Sequence, residues 1–351
     1  MSFRIALLPG DGVGPEVVDA ALVVLQAVER RFNVKYETSR WPIGGVAIAA
    51  GQPALPPSTL DACQQSDAVL LGAVGDPRFD HLPRETRVET GLLALRKGLG
   101  VYANLRPAQV WPSLEGVIPF KPERVSGTNI VIVRELMGGL YFGEPRGLEA
   151  DHGYNTMRYR TPEIERVAEV AFKLAQGRRK KLLSVDKHNV LEVSQLWRSV
   201  VTRLVAKFPD VTLEHQYVDA FAMNLALDPR RYDVVVTENM FGDILSDEAG
   251  AIAGSLGLLP SASLGDGVGL YEPVHGSAPT LAGKDVCNPI GTVGSLALLL
   301  RYSAKAEDQA VAIENAIGSA LTAGCRTVDI AEPGQPSLGC AAMAKEIAAR
   351  I

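Results

Sequence analysis

Two aspartates four residues apart are the feature of the sequence most able to do chemistry. Asp243 and Asp247 follow the apolar run 232–237, where a strand is expected to give way to a helix. On a helix, residues four apart share one face, so the two carboxylates repel. Solvent can offset that repulsion, and so can Mg²⁺ or Mn²⁺, which prefer oxygen ligands. The pair alone is more typical of a solvated face, but its apolar neighbours favour a buried metal site.

Three arginines add to this pattern. Arg96, Arg106 and Arg134 each lie in or beside an apolar segment. The planar guanidinium fork binds a carboxylate through two hydrogen bonds. For any one of them a structural ion pair is the more common role. Three arginines together with an acidic metal site indicate a substrate that carries carboxylates.

A glycine-rich segment, 10–16, follows a predicted strand and opens a predicted helix. It differs from the Rossmann dinucleotide fingerprint, which needs its third glycine where this chain has Pro15. Asp11 would also bring a negative charge close to a pyrophosphate. Pro15 suits the first turn of a helix, where a missing N–H costs nothing. The segment therefore predicts a strand-to-helix turn that is not Rossmann.

Composition narrows the class of protein. The chain has 351 residues, 47% of them hydrophobic, and a formal net charge of −5. That charge offers no field for nucleic acid or an anionic membrane, and no apolar run reaches the roughly 18 to 20 residues of a membrane span. The four cysteines are scattered without metal-ligand spacing, which fits a reducing compartment. We expect a cytoplasmic enzyme with no nucleic-acid or membrane partner.

Short aliphatic runs alternate with longer periodic segments along the whole chain. This alternation predicts an α/β fold with much parallel sheet. The predicted strands are residues 4–8, 34–37, 68–71, 129–134, 181–186 and 232–237, and the predicted helices are residues 15–32, 162–176 and 191–208.

Long motifs in a fixed order give the sequence a family resemblance. They lie at residues 8–16, 89–96, 103–107, 133–135, 138–144, 186–190, 217–219, 237–248, 254–262 and 272–279. In this order they resemble the β-decarboxylating (isocitrate/isopropylmalate) dehydrogenases over essentially the whole chain. The resemblance implies two α/β domains around a large mixed sheet. Residues 1–101 and 255–351 would form a discontinuous cofactor-binding domain, and residues 102–254 an inserted dimerisation and metal/substrate domain.

The resemblance also implies roles for single residues. The enzyme would be a homodimer with shared active sites. Tyr141 and the Lys187 of the second subunit would be the acid-base pair. The three arginines would bind the substrate carboxylates, and Asp243, Asp247 and the Asp219 of the second subunit would bind Mg²⁺ or Mn²⁺ and contact the substrate. The expected NAD contacts are Val13, Asn189, Glu272, His275, Gly276, Ser277, Ala278, Thr280, Leu281, Asn288 and Asp329.

The expected substrate follows from the helix that carries Arg96. Glu89, Leu92 and Leu93 can share its face and line a pocket for the substrate side chain. Two leucines favour a branched alkyl group, so 3-isopropylmalate, a metabolite of leucine biosynthesis, leads. Apolar pockets discriminate weakly between alkyl groups, which leaves other 3-alkyl or 3-aryl malates open. Homoisocitrate and tartrate are further alternatives that two leucines would fit less well. A non-catalytic regulatory subunit is disfavoured because the catalytic set is complete.

Thr280 is the main departure from the family pattern. NAD-using members usually have an aspartate there for the adenosine ribose, and NADP-using members have a basic residue. Thr280 and Leu281 offer neither group. We expect NAD, since Asp329 still matches the family, with weakened affinity or relaxed discrimination against NADP as a hypothesis.

Overall fold

The fold is given by a computed structural model that describes residues 2–351. Twelve strands are present in these residues: β1 Phe3–Gly10, β2 Tyr36–Arg40, β3 Ala68–Ala73, β4 Val101–Gln109, β5 Asn129–Glu135, β6 Gly147–Leu148, β7 Gly153–Tyr154, β8 Lys181–Asp186, β9 Thr212–Tyr217, β10 Val234–Thr237, β11 Pro260–Gly265 and β12 Gly269–Pro273.

Helices alternate with these strands along the chain. They are α1 Gly14–Phe32, α2 Gly45–Ala49, α3 Pro57–Gln64, α4 Val88–Leu99, α5 Pro122–Val125, α6 Thr161–Gln176, α7 Glu192–Leu204, α8 Val218–Leu227, α9 Asn239–Ala253, α10 Ile290–Tyr302, α11 Glu307–Thr322 and α12 Cys340–Ala348. No helix within residues 2–351 has both the length and the apolar content that a membrane crossing needs.

The chain divides into two compact units. Unit 1 runs to Val101 and also includes Gly116–Ile118 and Gly254–Ile351. Unit 2 consists of Tyr102–Glu115 and Pro119–Ala253.

Unit 1 is built on five strands in the order β2-β1-β3-β12-β11. The first four are parallel, and β11 runs antiparallel to β12. Helix α10 is buried along almost its whole length, from Ile290 to Leu300, because it is apolar on every side and packs between α1, α11 and the two strands β11 and β12. Gly100, in the left-handed conformation, ends α4 and so turns the chain into β4.

Unit 2 is built on five strands in the order β4-β5-β10-β8-β9. Strand β4 is antiparallel to β5, and the other neighbours are parallel. The valine-rich strand β10 is buried throughout, as expected for a strand covered on both faces. Helices α6 and α7 pack together, with Phe172 and Trp197 fully buried. A separate hairpin of β6 and β7 carries Leu148, which is 89% exposed.

The α/β class predicted from the sequence is confirmed. The predicted strand at 181–186 coincides with β8, and the predicted helix at 162–176 begins one residue early as α6. The strand predicted at 34–37 begins only at Tyr36, because Asn33 takes left-handed backbone to end α1. The helix predicted at 191–208 is too long: α7 ends at Leu204 and tightens into a 3-10 turn.

Candidate active site

Arg134 and Asp243 form the centre of the candidate site in unit 2. Arg134 is buried near the end of β5, and its Nη1 donates to Asp243 Oδ1 on α9. Gly242 makes this approach possible, since a Cβ there would lie 2.8 Å from the Arg134 side chain. The absence of a side chain at position 242 therefore lets α9 lie against β5 and brings the acidic helix to the arginine.

Tyr141 reaches the same carboxylate from a short 3-10 turn, Gly139–Tyr141. Its hydroxyl donates to Asp243 Oδ2 at 3.0 Å. The guanidinium of Arg134 lies over its ring, 5.7 Å from the centroid. Burial and the negative charge of Asp243 raise the pKa of Tyr141, which Arg134 partly opposes. The phenol therefore holds its proton at neutral pH, as a proton donor must.

Arg106, on β4, brings positive charge close to Asp243 and Asp247. Its Nε donates to Asn104 Oδ1 at 2.7 Å, and its Nη1 donates to Ser246 Oγ at 2.7 Å. The same Nη1 lies 3.5 Å from carboxylate oxygens of both Asp243 and Asp247. Two buried arginines thus balance the two aspartates, so the acidic face is not balanced by solvent alone.

The donors of this cluster suit a hard cation. Asp243 and Asp247 supply carboxylate oxygens from one face of α9, the ligand type that Mg²⁺ and Mn²⁺ prefer. Within residues 2–351 no three His, Cys, Asp or Glu side chains come close enough to hold a metal ion. One chain therefore offers two of the three expected ligands at this position.

Lys187 and Asp219 lie elsewhere in unit 2 and pair with each other. Lys187 follows β8, and its Nζ lies 2.5 Å from Asp219 Oδ1 in the first turn of α8. This hydrogen bond to Lys187 lowers the pKa of Asp219. Among the described residues neither side chain bonds to Tyr141 or Asp243. The structure therefore brings Lys187 and Asp219 together but does not join either of them to the acidic cluster of the same chain.

Arg96 lies in unit 1, on α4, with an incomplete set of partners. Its Nη2 lies 2.8 Å from Glu272 Oε1 on β12, and both side chains are about 10% exposed. In residues 2–351 the buried Nε has no hydrogen-bond partner. Leu92 and Leu93 on the same helix are half-buried, and Glu89 is exposed. A buried guanidinium nitrogen without a partner is unusual and makes Arg96 a candidate donor to an anionic ligand.

The expected cofactor residues fall almost entirely in unit 1. Val13 donates its backbone N–H to the Ser277 carbonyl at 2.8 Å. A Cβ on Gly12, which has positive φ, would lie 1.9 Å from that carbonyl oxygen. The turn after β1 is thereby held against the segment 275–281. Thr280 and Leu281 are exposed at its end, and Asn189 alone lies in unit 2.

His275 and Asp329, two of the expected cofactor residues, differ in how fully they are hydrogen-bonded. His275 Nδ1 contacts the Gly276 carbonyl at 2.9 Å, whereas its buried Nε2 has no partner among the described residues. Burial lowers the pKa of His275, which favours the neutral ring. The carboxylate of Asp329 is instead engaged, since it accepts from Ser255, Asn288 and Thr327.

Several residues behind Tyr141 and Arg134 were not predicted from the sequence. Asn239 bonds to Arg134, and the Tyr159 hydroxyl accepts from the Asn239 backbone N–H. Glu238 accepts two backbone N–H groups at the start of α9, and burial raises its pKa to about 7. Burial likewise raises the pKa of Glu135. The available signal was that Glu238 and Asn239 directly follow β10 and that Glu135 is the last residue of β5; Tyr159 carried no such signal.

The fold and the site define the class of protein. The family model described as isocitrate/isopropylmalate dehydrogenase matches residues 4–347, and the chain belongs to that family. The family and the enzyme class predicted from the sequence are confirmed.

Individual relatives narrow the comparison. A 3-isopropylmalate dehydrogenase of Gloeobacter violaceus is 54% identical, covering 99% of this chain and 98% of its own. That of Aquifex aeolicus is 50% identical over 99% of this chain and 96% of its own. Among solved structures, an isocitrate dehydrogenase from Methylococcus capsulatus aligns with a TM-score of 0.88 at 33% identity, covering 99% of both chains. A β-decarboxylating dehydrogenase from Thermococcus kodakarensis aligns at 0.81 and 34%, covering 99% of this chain and 96% of its own.

Proposed function

We propose that the chain catalyses the metal-dependent oxidative decarboxylation of (2R,3S)-3-isopropylmalate to 4-methyl-2-oxopentanoate and CO₂, with reduction of NAD, in leucine biosynthesis. The observation that carries the proposal is the cluster in which Tyr141, Arg134 and Arg106 surround Asp243. It combines a proton donor, carboxylate-binding groups and oxygen ligands for a metal. The names of the relatives at 50% to 54% identity point to the same reaction.

The arginines would bind the two substrate carboxylates. Arg106 and Arg134 are buried and already face anions, and Arg96 has an unpaired Nε. A planar guanidinium can grip a carboxylate through two parallel N–H bonds, which fixes orientation as well as adding affinity. Holding the reacting carbon in one orientation is itself a large part of catalysis.

The residues of the chain fit both a divalent metal ion and NAD. Asp243 and Asp247, with Asp219 of a second subunit, would hold Mg²⁺ or Mn²⁺, which when bound polarises the substrate hydroxyl and offsets developing negative charge. The closely packed turn at Gly12 and the unpaired His275 Nε2 would hold NAD, which when bound accepts the hydride. The remaining chemistry falls to protein side chains.

Two side chains would move the protons. Lys187 Nζ of the second subunit would take the proton of the substrate hydroxyl, and the Tyr141 hydroxyl would supply a proton to the carbon that loses CO₂. General acid and base groups of this kind contribute about 10²- to 10⁴-fold each. Atoms and charge balance in this reaction: the hydride passes to NAD, CO₂ is released, and the proton lost from the hydroxyl is matched by the proton gained at carbon.

A homodimer would complete this site, with unit 2 as the part that dimerises and unit 1 as the part that binds cofactor. Lys187 and Asp219 lie on a face of unit 2 that exposes apolar side chains. On α8, Met223 is 60% and Leu227 54% exposed, and on α9 Ile244 is 61% exposed. Exposed apolar side chains on two helices that contact each other are typical of a surface that another subunit covers.

Mixed dimers would test the sharing of sites. Tyr141→Phe and Lys187→Met homodimers should each be nearly inactive. Unfolding and refolding them together should restore about a quarter of the wild-type activity, because half of the molecules are mixed and each of these has one intact site. Restoration of no activity would contradict the shared site.

The half-buried Leu92 and Leu93 support an alkyl substituent on the malate. Homoisocitrate and tartrate would place polar groups against them, and each methylene in such a pocket is worth about 1 to 3 kcal/mol. The proposed compartment is the cytoplasm, which is consistent with four free thiols.

NAD is the proposed coenzyme, with reduced discrimination against NADP. Thr280 is exposed and uncharged, so it can neither accept strongly from a ribose nor repel a 2′-phosphate. The carboxylate of Asp329 is engaged by three side chains, which further weakens repulsion at this end of the cofactor.

A substrate panel tests the proposal. Purified enzyme would be given 3-isopropylmalate, 3-methylmalate, a 3-arylmalate, isocitrate, homoisocitrate and tartrate, each with Mn²⁺ and either NAD or NADP. We expect 3-isopropylmalate with NAD to give the highest kcat/KM and EDTA to abolish NADH formation. Faster turnover of isocitrate or tartrate would contradict the proposed substrate, and a clear preference for NADP would contradict the proposed coenzyme. Activity that survives full chelation would contradict the metal requirement. No turnover of any compound would contradict the assignment as an enzyme.

A further inference from the structure

The Asn239 side chain is buried between two elements of the proposed site. Only 1% of the residue is exposed, at the first position of α9. Its Oδ1 accepts from Arg134 Nε at 2.9 Å, and its Nδ2 donates to the Gly138 carbonyl at 3.0 Å. Arg134 Nε can only donate and a carbonyl can only accept, so the orientation of the amide is unambiguous.

The bond to Arg134 restricts the guanidinium. With Nε fixed by Asn239, the two terminal nitrogens point away from the amide, and Nη1 meets Asp243. A guanidinium tethered at Nε loses little further freedom when its terminal nitrogens grip a carboxylate. Asn239 thus prepares Arg134 for an anionic ligand.

The bond to Gly138 restricts the turn that carries Tyr141. The Gly138 N–H and the Met137 N–H both donate to Glu135, so the turn is tied to the end of β5. A Cβ at Gly138 would lie 2.5 Å from the Tyr159 ring. The Tyr159 hydroxyl in turn accepts from the Asn239 backbone N–H at 3.0 Å. Asn239 therefore fixes the turn through its side chain and, through Tyr159, by its backbone.

We propose that Asn239 is a positioning residue that holds Arg134 and Tyr141 in register with each other. The inference rests on the proposed function, in which Arg134 binds a substrate carboxylate and Tyr141 supplies a proton. Asn239 itself touches neither substrate nor metal. Its effect on KM passes through Arg134, and its effect on kcat passes through Tyr141.

A double-mutant cycle separates this role from a general loss of structure. Asn239→Ala should raise KM for the malate about tenfold and lower kcat about 10- to 100-fold. In a Tyr141→Phe background the same substitution should lower kcat less than threefold, while the tenfold rise in KM persists. Groups that act as a unit are non-additive in this way, whereas independent ones add.

Asn104 offers a matched control. It is also a buried asparagine, and its Oδ1 accepts from Arg106 Nε at 2.7 Å. Asn104→Ala removes an equivalent bond to an arginine on β4, whereas the Tyr141 turn follows β5. It should raise KM and change kcat by the same factor whether residue 141 is Tyr or Phe.

The outcomes distinguish the inference from its premise. If Asn239→Ala lowers kcat by the same factor in both backgrounds, Asn239 does not act through Tyr141 and the inference is wrong. If Asn239→Ala does not fold, as judged by circular dichroism, the isosteric Asn239→Asp replaces it and the kcat comparison alone decides, because Asp cannot donate to the Gly138 carbonyl. A wild-type enzyme that turns over no malate would instead contradict the proposed function.

Discussion

Asp11 and Glu16 in unit 1 and Asp243 in unit 2 have opposite kinds of partner: backbone N–H groups for the first two, and charged or hydroxyl side chains for the third. In unit 1, Asp11 accepts three backbone N–H groups, two from the start of α2 and one from Gly75. Glu16 likewise accepts the N–H groups of Gly283 and Asp285. In unit 2, the carboxylate of Asp243 faces two arginines and a tyrosine.

The two kinds of carboxylate have different roles: one kind fixes the conformation of a loop, and the other remains able to bind a ligand. A carboxylate saturated by backbone N–H groups fixes the path of the chain and has little capacity left for a ligand. A carboxylate balanced by charged side chains can exchange them for a cation while those side chains turn to a substrate carboxylate, so that no buried charge is left unpaired. Substitutions around Asp243 should therefore affect chemistry, and substitutions of carboxylates that accept backbone N–H groups should affect stability.

Tyr141→Phe should produce the largest effect. It removes the hydroxyl that donates to Asp243 and leaves the ring beneath Arg134. We expect kcat for 3-isopropylmalate to fall about 10³-fold, within the range for loss of an acid-base group, while KM changes less than threefold. Steady-state NADH formation under saturating Mn²⁺ measures both.

Tyr154→Phe is the control for this substitution. It removes a hydroxyl from an exposed tyrosine of the β6–β7 hairpin, and kcat should stay within twofold of wild type. A loss of only a few fold in Tyr141→Phe would mean that solvent can supply the proton, and unit 2 would then lack its proposed proton donor.

Glu238→Gln should change the pH dependence of stability. Burial raises the pKa of Glu238 from 4.5 to about 7, so the folded protein keeps a proton that the unfolded chain loses. The contribution of this group to stability is therefore fully present below about pH 4.5 and is lost as pH rises through 7. A shift of this size corresponds to about 3 kcal/mol.

Glutamine keeps one acceptor oxygen, so one of the N–H groups of Met240 and Phe241 loses its partner at every pH, but glutamine does not titrate. The stability of wild type relative to Glu238→Gln should therefore fall by up to about 3 kcal/mol between pH 5 and pH 8, measured by urea unfolding at each pH. Glu214→Gln, at an exposed position of β9, is the matched control for loss of one carboxylate. A pH-independent difference would mean that Glu238 is ionised in the folded protein throughout.

The sequence was sufficient for the fold class and for much of the element pattern. Strongly apolar strands such as β8 and β10 are bounded by turn residues, so their type was evident from the chain alone. The end of α7 was not, because the change to a 3-10 turn before Phe208 accompanies stacking of its ring on Phe172, with centroids 4.8 Å apart. Tertiary packing of this kind leaves no local signal.

The candidate site was only partly predictable for the same reason. The face shared by Asp243 and Asp247 follows from helix geometry, and two arginines do offset them. The role of Asn239 depends on a carbonyl and an arginine that are about 100 residues away in sequence. Asp11 was expected to hinder a phosphate site, but its carboxylate is turned inward onto backbone N–H groups. The hydrogen-bond partners of such polar side chains are evident only from the three-dimensional structure.

Asp329→Asn should have the smallest effect, and it tests the unit 1 side of the comparison. Its carboxylate has about four acceptor positions, and three are occupied by Ser255, Asn288 and Thr327. An amide oxygen in place of Oδ2 still accepts from Asn288 and Ser255, and the Thr327 hydroxyl can rotate to accept from the amide NH₂. We expect a loss of stability of about 1 kcal/mol and a change in the Kd for NADH below threefold, measured by thermal unfolding and fluorescence titration.

Asp61→Asn, at an exposed position of α3, controls for the loss of a charge. A rise in Kd of tenfold or more would correspond to about 1.4 kcal/mol of lost binding. Asp329 would then contact the cofactor directly, as the family resemblance implies, and the contrast between engaged carboxylates and the reactive Asp243 would not extend to the adenosine end of the cofactor.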